Sequence, residues 1–241
     1  MAKLLIPKTV SFSQRSKRGY IHRGTKAFVL EGTRLKNGLS PRLKGAALRM
    51  LAAESDYFTK PLSARNKRIR AVLGKWGVRA EKVLMELGTG RALFQREGTC
   101  LASHEGKKIF RKSPAKIIRN LQETFAKMST LEIIHWHPHM GNFAVSAEGE
   151  IIVLDLGQAT IGQPEKIRTG VSKKEINQIV SESNKFCDDL TKYYYEVMYG
   201  RMPDKSEAKK LKTKLWNDLF VIAFKVSAEI HEKLKAEQGI N

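Results

Sequence analysis

A histidine-rich loop followed by a hairpin pattern contains the residues of this chain best suited to chemistry. Residues 133–157 read IIHWHPHMGNFAVSAEGEIIVLDLG. Apolar residues on either side of a turn at Glu148 and Gly149 predict two short strands, which bring Asn142 and Asp155 to one end of a hairpin. Amide and carboxylate oxygens are apt ligands for Mg²⁺, a hard cation. The alternative interpretation is an ordinary hairpin with two polar ends and a few surface histidines.

The order of these features resembles that of the protein-kinase-like phosphotransferases that act on small molecules and lipids. Their loop usually reads H-G-D-x-H-x-G-N, and the strand that follows ends in an aspartate. Within that branch, HPHMGNFAVSAEG followed by LDL is most similar to the lipopolysaccharide core heptose kinases. The close match is confined to residues 133–157, and elsewhere only the order of elements agrees.

The resemblance implies a role for each polar residue of the loop. Asn142 and Asp155 would hold the Mg²⁺ ions that bridge the phosphates of ATP. His135 and His139 correspond to the two histidines of the family loop. His137 lies where the family has its catalytic aspartate, which orients the acceptor hydroxyl and takes its proton.

The histidine at position 137 leaves three interpretations open. A neutral imidazole can accept a proton, but it supplies no fixed negative charge beside the metal ions. The chain could therefore be a kinase with His137 as its base, or a pseudokinase that binds nucleotide without turnover. The third interpretation is a transition-metal site made by His135, His137 and His139. Pro138 favours a loop here, whereas a strand would be needed to place all three side chains on one side.

Composition predicts a protein of the cytoplasm. The chain of 241 residues is 41% hydrophobic, enough to bury a sizeable core. Its apolar runs fall short of the ~18 residues that a membrane span needs. The start of the sequence, residues 1–8, is too short and too charged for a signal peptide. Two cysteines form no disulfide framework or zinc motif. Peripheral association with the inner membrane stays open.

The positive charge is concentrated near the start of the sequence. The net charge is +20, and residues 1–82 hold 20 Lys and Arg residues against four acidic ones, a local balance of +16. Such a density predicts an anionic partner, which could be nucleic acid, an acidic lipid surface or a phosphorylated substrate. The segment 60–82 is the candidate surface, although it contains no nucleic-acid module signature. The alternative for this segment is a solvated helix face or loop.

The first third of the chain matches a kinase small lobe in the order of its elements. Residues 8–36 predict two or three strands with glycine turns. Ser40 and Pro41 predict the start of a helix, at the place of the single small-lobe helix of a kinase. The segment Val83–Gly90 resembles the last small-lobe strand and the hinge, with a plain strand and turn as the alternative. Glu86 and Leu87 would supply the backbone contacts to adenine.

A kinase also needs a strand lysine on the ATP phosphates, paired with a glutamate of the small-lobe helix. Lys26 and Lys36 are the candidates for that lysine. The predicted helix contains no glutamate between Pro41 and Ala53. One alignment places Glu31 at the position of the lysine and Lys44 at the position of the glutamate, as a charge-swapped pair.

Three longer helices are predicted in the rest of the chain. One begins at Ser113 and Pro114 and leads to the histidine loop. Another begins at a capping box, Ser172 to Glu175, and ends near Gly200. The last covers residues 206–237.

Together these features predict an α+β, bilobal protein-kinase-like fold. Residues 1–90 would form a small β-rich lobe with one helix, and residues 91–241 a mostly helical lobe with the catalytic loop and the metal-binding hairpin. The predicted function is ATP- and Mg²⁺-dependent transfer of the γ-phosphate to a hydroxyl group, with a sugar of an anionic glycolipid of the lipopolysaccharide core as the acceptor. The alternatives are a protein Ser/Thr kinase, and a pseudokinase that serves as a basic module for binding nucleic acid or protein.

Overall fold

The computed structural model describes residues 57–86, 90–95, 97–162 and 173–239. The fold is α+β. Its elements, in chain order, are β1 (Tyr57–Pro61), α1 (Ala64–Lys75), β2 (Arg79–Ala80), β3 (Lys82–Glu86), β4 (Arg91–Gln95), β5 (Thr99–Cys100), α2 (His104–Lys112), α3 (Pro114–Thr130), β6 (Ile133–Ile134), a 3₁₀ turn (Met140–Asn142), β7 (Phe143–Val145), β8 (Ile151–Val153), β9 (Thr160–Ile161), α4 (Lys173–Tyr199) and α5 (Lys205–Gln238).

The chain divides into two compact units. Of the residues that the structure describes, the first unit contains 57–62, 82–86 and 90–95, and the second contains the rest. This division differs from the predicted single boundary at residue 90, because α1 and β2 belong to the second unit.

The first unit contains a three-stranded antiparallel sheet in the order β1-β4-β3. Leu62, Ala92 and Phe94 are buried together in its core. Residues 82–86 form a strand, and its pairing with a further strand, β4, favours the strand-and-turn alternative for Val83–Gly90 over the hinge. Gly90 adopts a φ of 68°, a conformation that glycine tolerates without strain. Gly90 therefore allows the backbone to turn directly before β4.

The second unit contains a four-stranded sheet in the order β2-β8-β7-β5. Its β7 and β8 strands form the predicted antiparallel hairpin, with Phe143 opposite Val153. The two faces of this hairpin are buried, so its strands are continuously apolar. A separate two-stranded pair, β6 and β9, lies on either side of the histidine loop in sequence.

The three predicted long helices are confirmed. Proline occupies the first turn of α3, as expected. Helix α5 begins at a capping box made by Asp204 and Glu207. The core of the unit includes Phe125 of α3 stacked on Phe186 of α4, with ring centroids 4.4 Å apart. This helical layer supports the hairpin and the loop.

Helix α1 lies within the basic segment 60–82. Its buried residues are Asn66, Ile69 and Leu73, at spacings of three and four residues, which is one face of a helix. The Ser63 side chain caps its start by accepting the N–H of Asn66. The remaining positions are largely basic and exposed. This segment therefore includes a solvated helix face, and its binding of nucleic acid stays a prediction.

The predictions for residues 1–56 lie outside the described residues. These include the early strands, the helix that begins at Pro41, Lys26 and Lys36 as phosphate-binding lysines, and the pair of Glu31 and Lys44. In the part of the chain that the structure does describe, none of the helices has the length and apolar character needed to cross a membrane.

Candidate active site

A hydrogen bond of the His135 side chain links the histidine loop to the end of the hairpin. The side chain is 2% exposed, and its Nε2 lies 2.8 Å from the carbonyl oxygen of Leu154. Because a carbonyl only accepts, Nε2 carries the ring proton. The buried Nδ1 has no hydrogen-bond partner among the described residues. Burial lowers the pKa of His135, partly opposed by the bond to Leu154. His135 is therefore a neutral positioning residue.

The lowered pKa of His135 predicts a loss of stability in acid. The unfolded chain binds a proton here below about pH 6.5, whereas the folded protein resists protonation. The stabilising contribution is therefore complete above that pH and is lost as pH falls. We expect the free energy of unfolding of the wild type, relative to His135→Gln, to fall by up to about 1.4 kcal/mol per pH unit between pH 7 and pH 5. Urea titrations measure it.

A control for this titration is His231→Gln, which removes an exposed histidine of α5. Its free energy of unfolding should follow that of the wild type across the same pH range. Parallel curves for the wild type and His135→Gln would contradict the assignment.

The two predicted metal ligands lie at the same end of the hairpin. The N–H of Leu154 donates to the carbonyl of Asn142 at 2.8 Å, which extends the pairing of β7 and β8 by one step. Asp155 follows directly and is exposed. The Nδ2 of Asn142 donates to the carbonyl of His137 at 2.8 Å. This bond fixes the amide and leaves its Oδ1 as the candidate ligand atom.

The backbone is held in unusual conformations at two points of the loop and hairpin. Trp136 has a φ of 69° and Asp155 a φ of 48°. Left-handed conformations of non-glycine residues cost ~1–3 kcal/mol and persist where the surroundings impose them, often at functional sites. Aspartate is among the residues that tolerate this region best. The conformation of Asp155 sets the direction in which its carboxylate leaves the hairpin.

Two carboxylates of α4 hold the backbone of the loop. Glu182, only 2% exposed, accepts the N–H of Trp136 at 3.1 Å. Asp189 accepts the N–H of Met140 at 2.8 Å. The two residues are two helical turns apart and face the same way. The indole N–H of Trp136 also donates to Thr160 Oγ1 at 3.0 Å. The histidine loop is thus fixed near both ends.

Sequence reasoning missed Glu182 and Asp189, although a signal was present. They interrupt the apolar stripe of α4 that contains Phe186 and Leu190, both fully buried. A carboxylate within a core stripe needs a buried partner. Here the partners are backbone N–H groups of the loop.

His137 is exposed and has one side-chain partner, Gln158. Its Nε2 lies 2.7 Å from Gln158 Oε1. An amide oxygen only accepts, so Nε2 carries the proton and Nδ1 carries the lone pair. The bond to Gln158 therefore orients the His137 ring and leaves Nδ1 as its other nitrogen, without a partner among the described residues. Sequence reasoning singled out His137 but missed the glutamine that orients it.

His139 is exposed, and its side chain contacts two other residues of the same loop. Its Nδ1 lies 3.2 Å from the N–H of Gly141, and its Nε2 lies 3.2 Å from Nδ2 of Asn142. A neutral imidazole has one acceptor nitrogen, so only one of these contacts is a hydrogen bond. A Cβ at position 141 would lie 2.9 Å from the imidazole, which explains the glycine there.

The chemistry of the donors fits magnesium better than a transition metal. Asn142 and Asp155 offer amide and carboxylate oxygen, and Mg²⁺ is commonly held by few protein ligands together with phosphates and water. Within residues 57–86, 90–95, 97–162 and 173–239, no three His, Cys, Asp or Glu side chains are grouped to hold a metal. The three histidines therefore do not form the transition-metal site left open above.

Comparison with known proteins identifies no family for this chain. No family model and no curated protein matches the chain. The loop, the hairpin and their surroundings are therefore the features that bear on function.

A buried ion pair of α1 lies close to Asp155. Arg70 Nη2 is 3.3 Å from Glu81 Oε2, with side-chain exposures of 13% and 5%, and Nη1 donates to the Glu81 carbonyl. Burial lowers the pKa of Arg70, and the nearby carboxylates of Glu81 and Asp155 oppose that effect. The guanidinium of Arg70 thus offsets part of the negative charge at the end of the hairpin that carries Asp155.

Two further arginines of α1 contact the segment that follows Asp155. Arg68 Nη2 donates to the carbonyl of Gly162 at 3.2 Å. Arg65 Nη2 lies 3.5 Å from the carbonyl of Gly157, a weak contact. Helix α1 therefore flanks this segment with basic side chains.

The predicted adenine contacts stay predictions. Glu86 is exposed at the end of β3. Leu87 lies outside the described residues.

Proposed function

We propose that this chain is a phosphotransferase with a protein-kinase-like fold, which uses ATP and Mg²⁺ to phosphorylate a hydroxyl group. The observation that carries the proposal is the end of the β7–β8 hairpin. There the amide of Asn142 is fixed by its bond to the His137 carbonyl, and Asp155 extends from a left-handed backbone. The candidate base, His137, and the candidate ligand Asn142 thus lie on one loop, and Asp155 lies at the end of the hairpin that follows it.

Each residue has a defined part in the proposed reaction. Asn142 and Asp155 would hold Mg²⁺, which when bound offsets the negative charge of the ATP phosphates. The acceptor oxygen bonds to the γ-phosphorus as the bond from that phosphorus to the β–γ bridging oxygen breaks, and ADP leaves with the electron pair. The acceptor proton goes to Nδ1 of His137, while Gln158 holds Nε2.

The loop surroundings support catalysis by positioning. Phosphoryl transfer depends mainly on orientation and electrostatics. His135 ties the loop to Leu154, while Glu182 and Asp189 hold its backbone from α4. These bonds keep His137 and Asn142 in place, although position 137 has no fixed negative charge.

The proposed acceptor is a sugar of an anionic glycolipid, as in the lipopolysaccharide core. Its support is the similarity of the loop to heptose kinases and the net charge of +20, including the exposed Arg65, Lys67 and Arg68 of α1. Such a substrate would place the protein at the cytoplasmic face of the inner membrane. A protein Ser/Thr acceptor has no specific observation in its favour.

A second candidate is a pseudokinase that binds nucleotide and uses its basic surface to hold nucleic acid or another protein. His137 favours it, because the family aspartate is replaced. The fixed amide of Asn142 weighs against a binding module that no longer uses nucleotide, since such a module needs no metal ligands.

The test is to measure nucleotide binding and turnover in the same preparation. We expect ATP to raise the midpoint of thermal unfolding with Mg²⁺ but not with a chelator, because a ligand that binds only the folded state stabilises it. ADP release should then increase when lipopolysaccharide core oligosaccharide is added. Mg²⁺-dependent binding without turnover would support the pseudokinase. Absence of any Mg²⁺-dependent nucleotide binding would rule out both.

A further inference from the structure

The middle of α5 exposes large apolar side chains on its outer side. Phe220 is 68%, Val221 53% and Phe224 74% exposed. Leu219 and Val226 nearby are buried against the rest of the unit. A helix that is apolar on both sides is normally covered on both. Adjacent phenylalanines this exposed indicate a contact surface.

Lysines lie along and beside the same face. The outer stripe of α5, at spacings of three or four residues, consists of Lys210, Thr213, Asn217, Phe220, Val221, Phe224, Ser227 and His231, all exposed. Lys225 follows Phe224 and is also exposed. The stripe itself includes no carboxylate. Two carboxylates lie at its border, and both are paired: Asp218 with Lys214 at 2.5 Å and Glu232 with Lys235 at 3.2 Å.

We infer that the outer stripe of α5 contacts an anionic lipid surface. Phenylalanines on a helix face bordered by lysines are suited to the boundary between headgroups and acyl chains, and lysines are attracted to acidic headgroups. Pairing with a second copy is disfavoured, because each copy would bring a net charge of +20 to the contact. This inference does not depend on the proposed phosphotransferase activity.

Co-sedimentation with lipid vesicles tests the inference. We expect the full chain to partition onto vesicles of phosphatidylglycerol and phosphatidylcholine at physiological salt, and only weakly onto phosphatidylcholine alone. The double variant Phe220→Ser/Phe224→Ser should lose at least about tenfold in partition coefficient, because it removes the apolar area that enters the interface. Both side chains are exposed, so the midpoint of thermal unfolding should be retained.

A matched control is Ile176→Ser/Val180→Ser, which removes two exposed apolar residues at the same spacing on α4, 49% and 41% exposed. It should bind vesicles like the wild type. Three results would overturn the inference: no binding of the wild type to anionic vesicles, unchanged binding of the phenylalanine variant, or a concentration-dependent dimer that the phenylalanine variant abolishes.

Discussion

Asp155→Asn is expected to lower Mg²⁺-dependent ATP turnover by about a hundredfold to a thousandfold, the range seen when one electrostatic contact to a transition state is removed. The substitution removes the negative charge and keeps the shape of the side chain. Asparagine also tolerates the left-handed backbone that Asp155 adopts, with a φ of 48°. Alanine would add backbone strain at this position, so its effect would mix stability with chemistry.

The assay compares kcat, KM for ATP and the Mg²⁺ dependence of wild type and variant. We expect a weaker response to Mg²⁺ as well as a lower kcat, because the carboxylate is a proposed metal ligand. The matched control is Asp218→Asn, which breaks an exposed pair with Lys214 on α5 and should leave turnover unchanged. Equal kinetics in Asp155→Asn and the wild type would remove Asp155 from the site.

The hairpin and the ends of the long helices could be predicted because their signals are local. The β7–β8 pairing follows from two apolar runs around a turn, and α3 begins where Pro114 stands in the sequence. The same locality places Asn142 and Asp155 at one end of the hairpin. These predictions needed no knowledge of distant contacts.

The supports of the loop could not be predicted because their partners are far away in sequence. Glu182 lies 46 residues from Trp136, and Asp189 lies 49 residues from Met140. A sequence shows a carboxylate in an apolar stripe, but it does not show which N–H group the carboxylate will meet. The role of Arg70 could not be predicted for another reason: it belongs to a basic segment in which most of the other basic residues are exposed.

The choice between a hinge and a turn after β3 could not be made from the sequence. Residues 83–86 do form a strand, as predicted, but an apolar strand followed by glycine is compatible with either a hinge or a hairpin turn. The pairing of β3 with β4 decides between them, and that pairing is a tertiary property. Short apolar runs therefore left the order of the strands undetermined.

A second large effect is expected at His137, where His137→Gln should lower kcat by about a hundredfold to ten-thousandfold while preserving Mg²⁺-dependent binding of ATP. Glutamine keeps a polar side chain near Gln158 but cannot accept the proton of the acceptor hydroxyl. The retained binding separates this variant from Asp155→Asn, in which the response to Mg²⁺ also changes. Loss of binding in both would mean that His137 shapes the nucleotide site instead of acting as a base.

His137→Asp provides the matching gain-of-function test, because it installs the residue that the similar kinase loops have at this position. We expect turnover to be retained, with activity extending to lower pH, since a carboxylic acid titrates at lower pH than an imidazole. The carboxylate would also add the fixed negative charge that the wild-type loop lacks beside the metal ligands. If wild type and His137→Gln are both inactive while His137→Asp turns over ATP, the loop geometry is competent and the histidine makes the natural chain a pseudokinase. If His137→Asp is inactive while the wild type turns over, the bond between His137 Nε2 and Gln158, at 2.7 Å, is a requirement that aspartate cannot meet, and this loop has become specific for a histidine base.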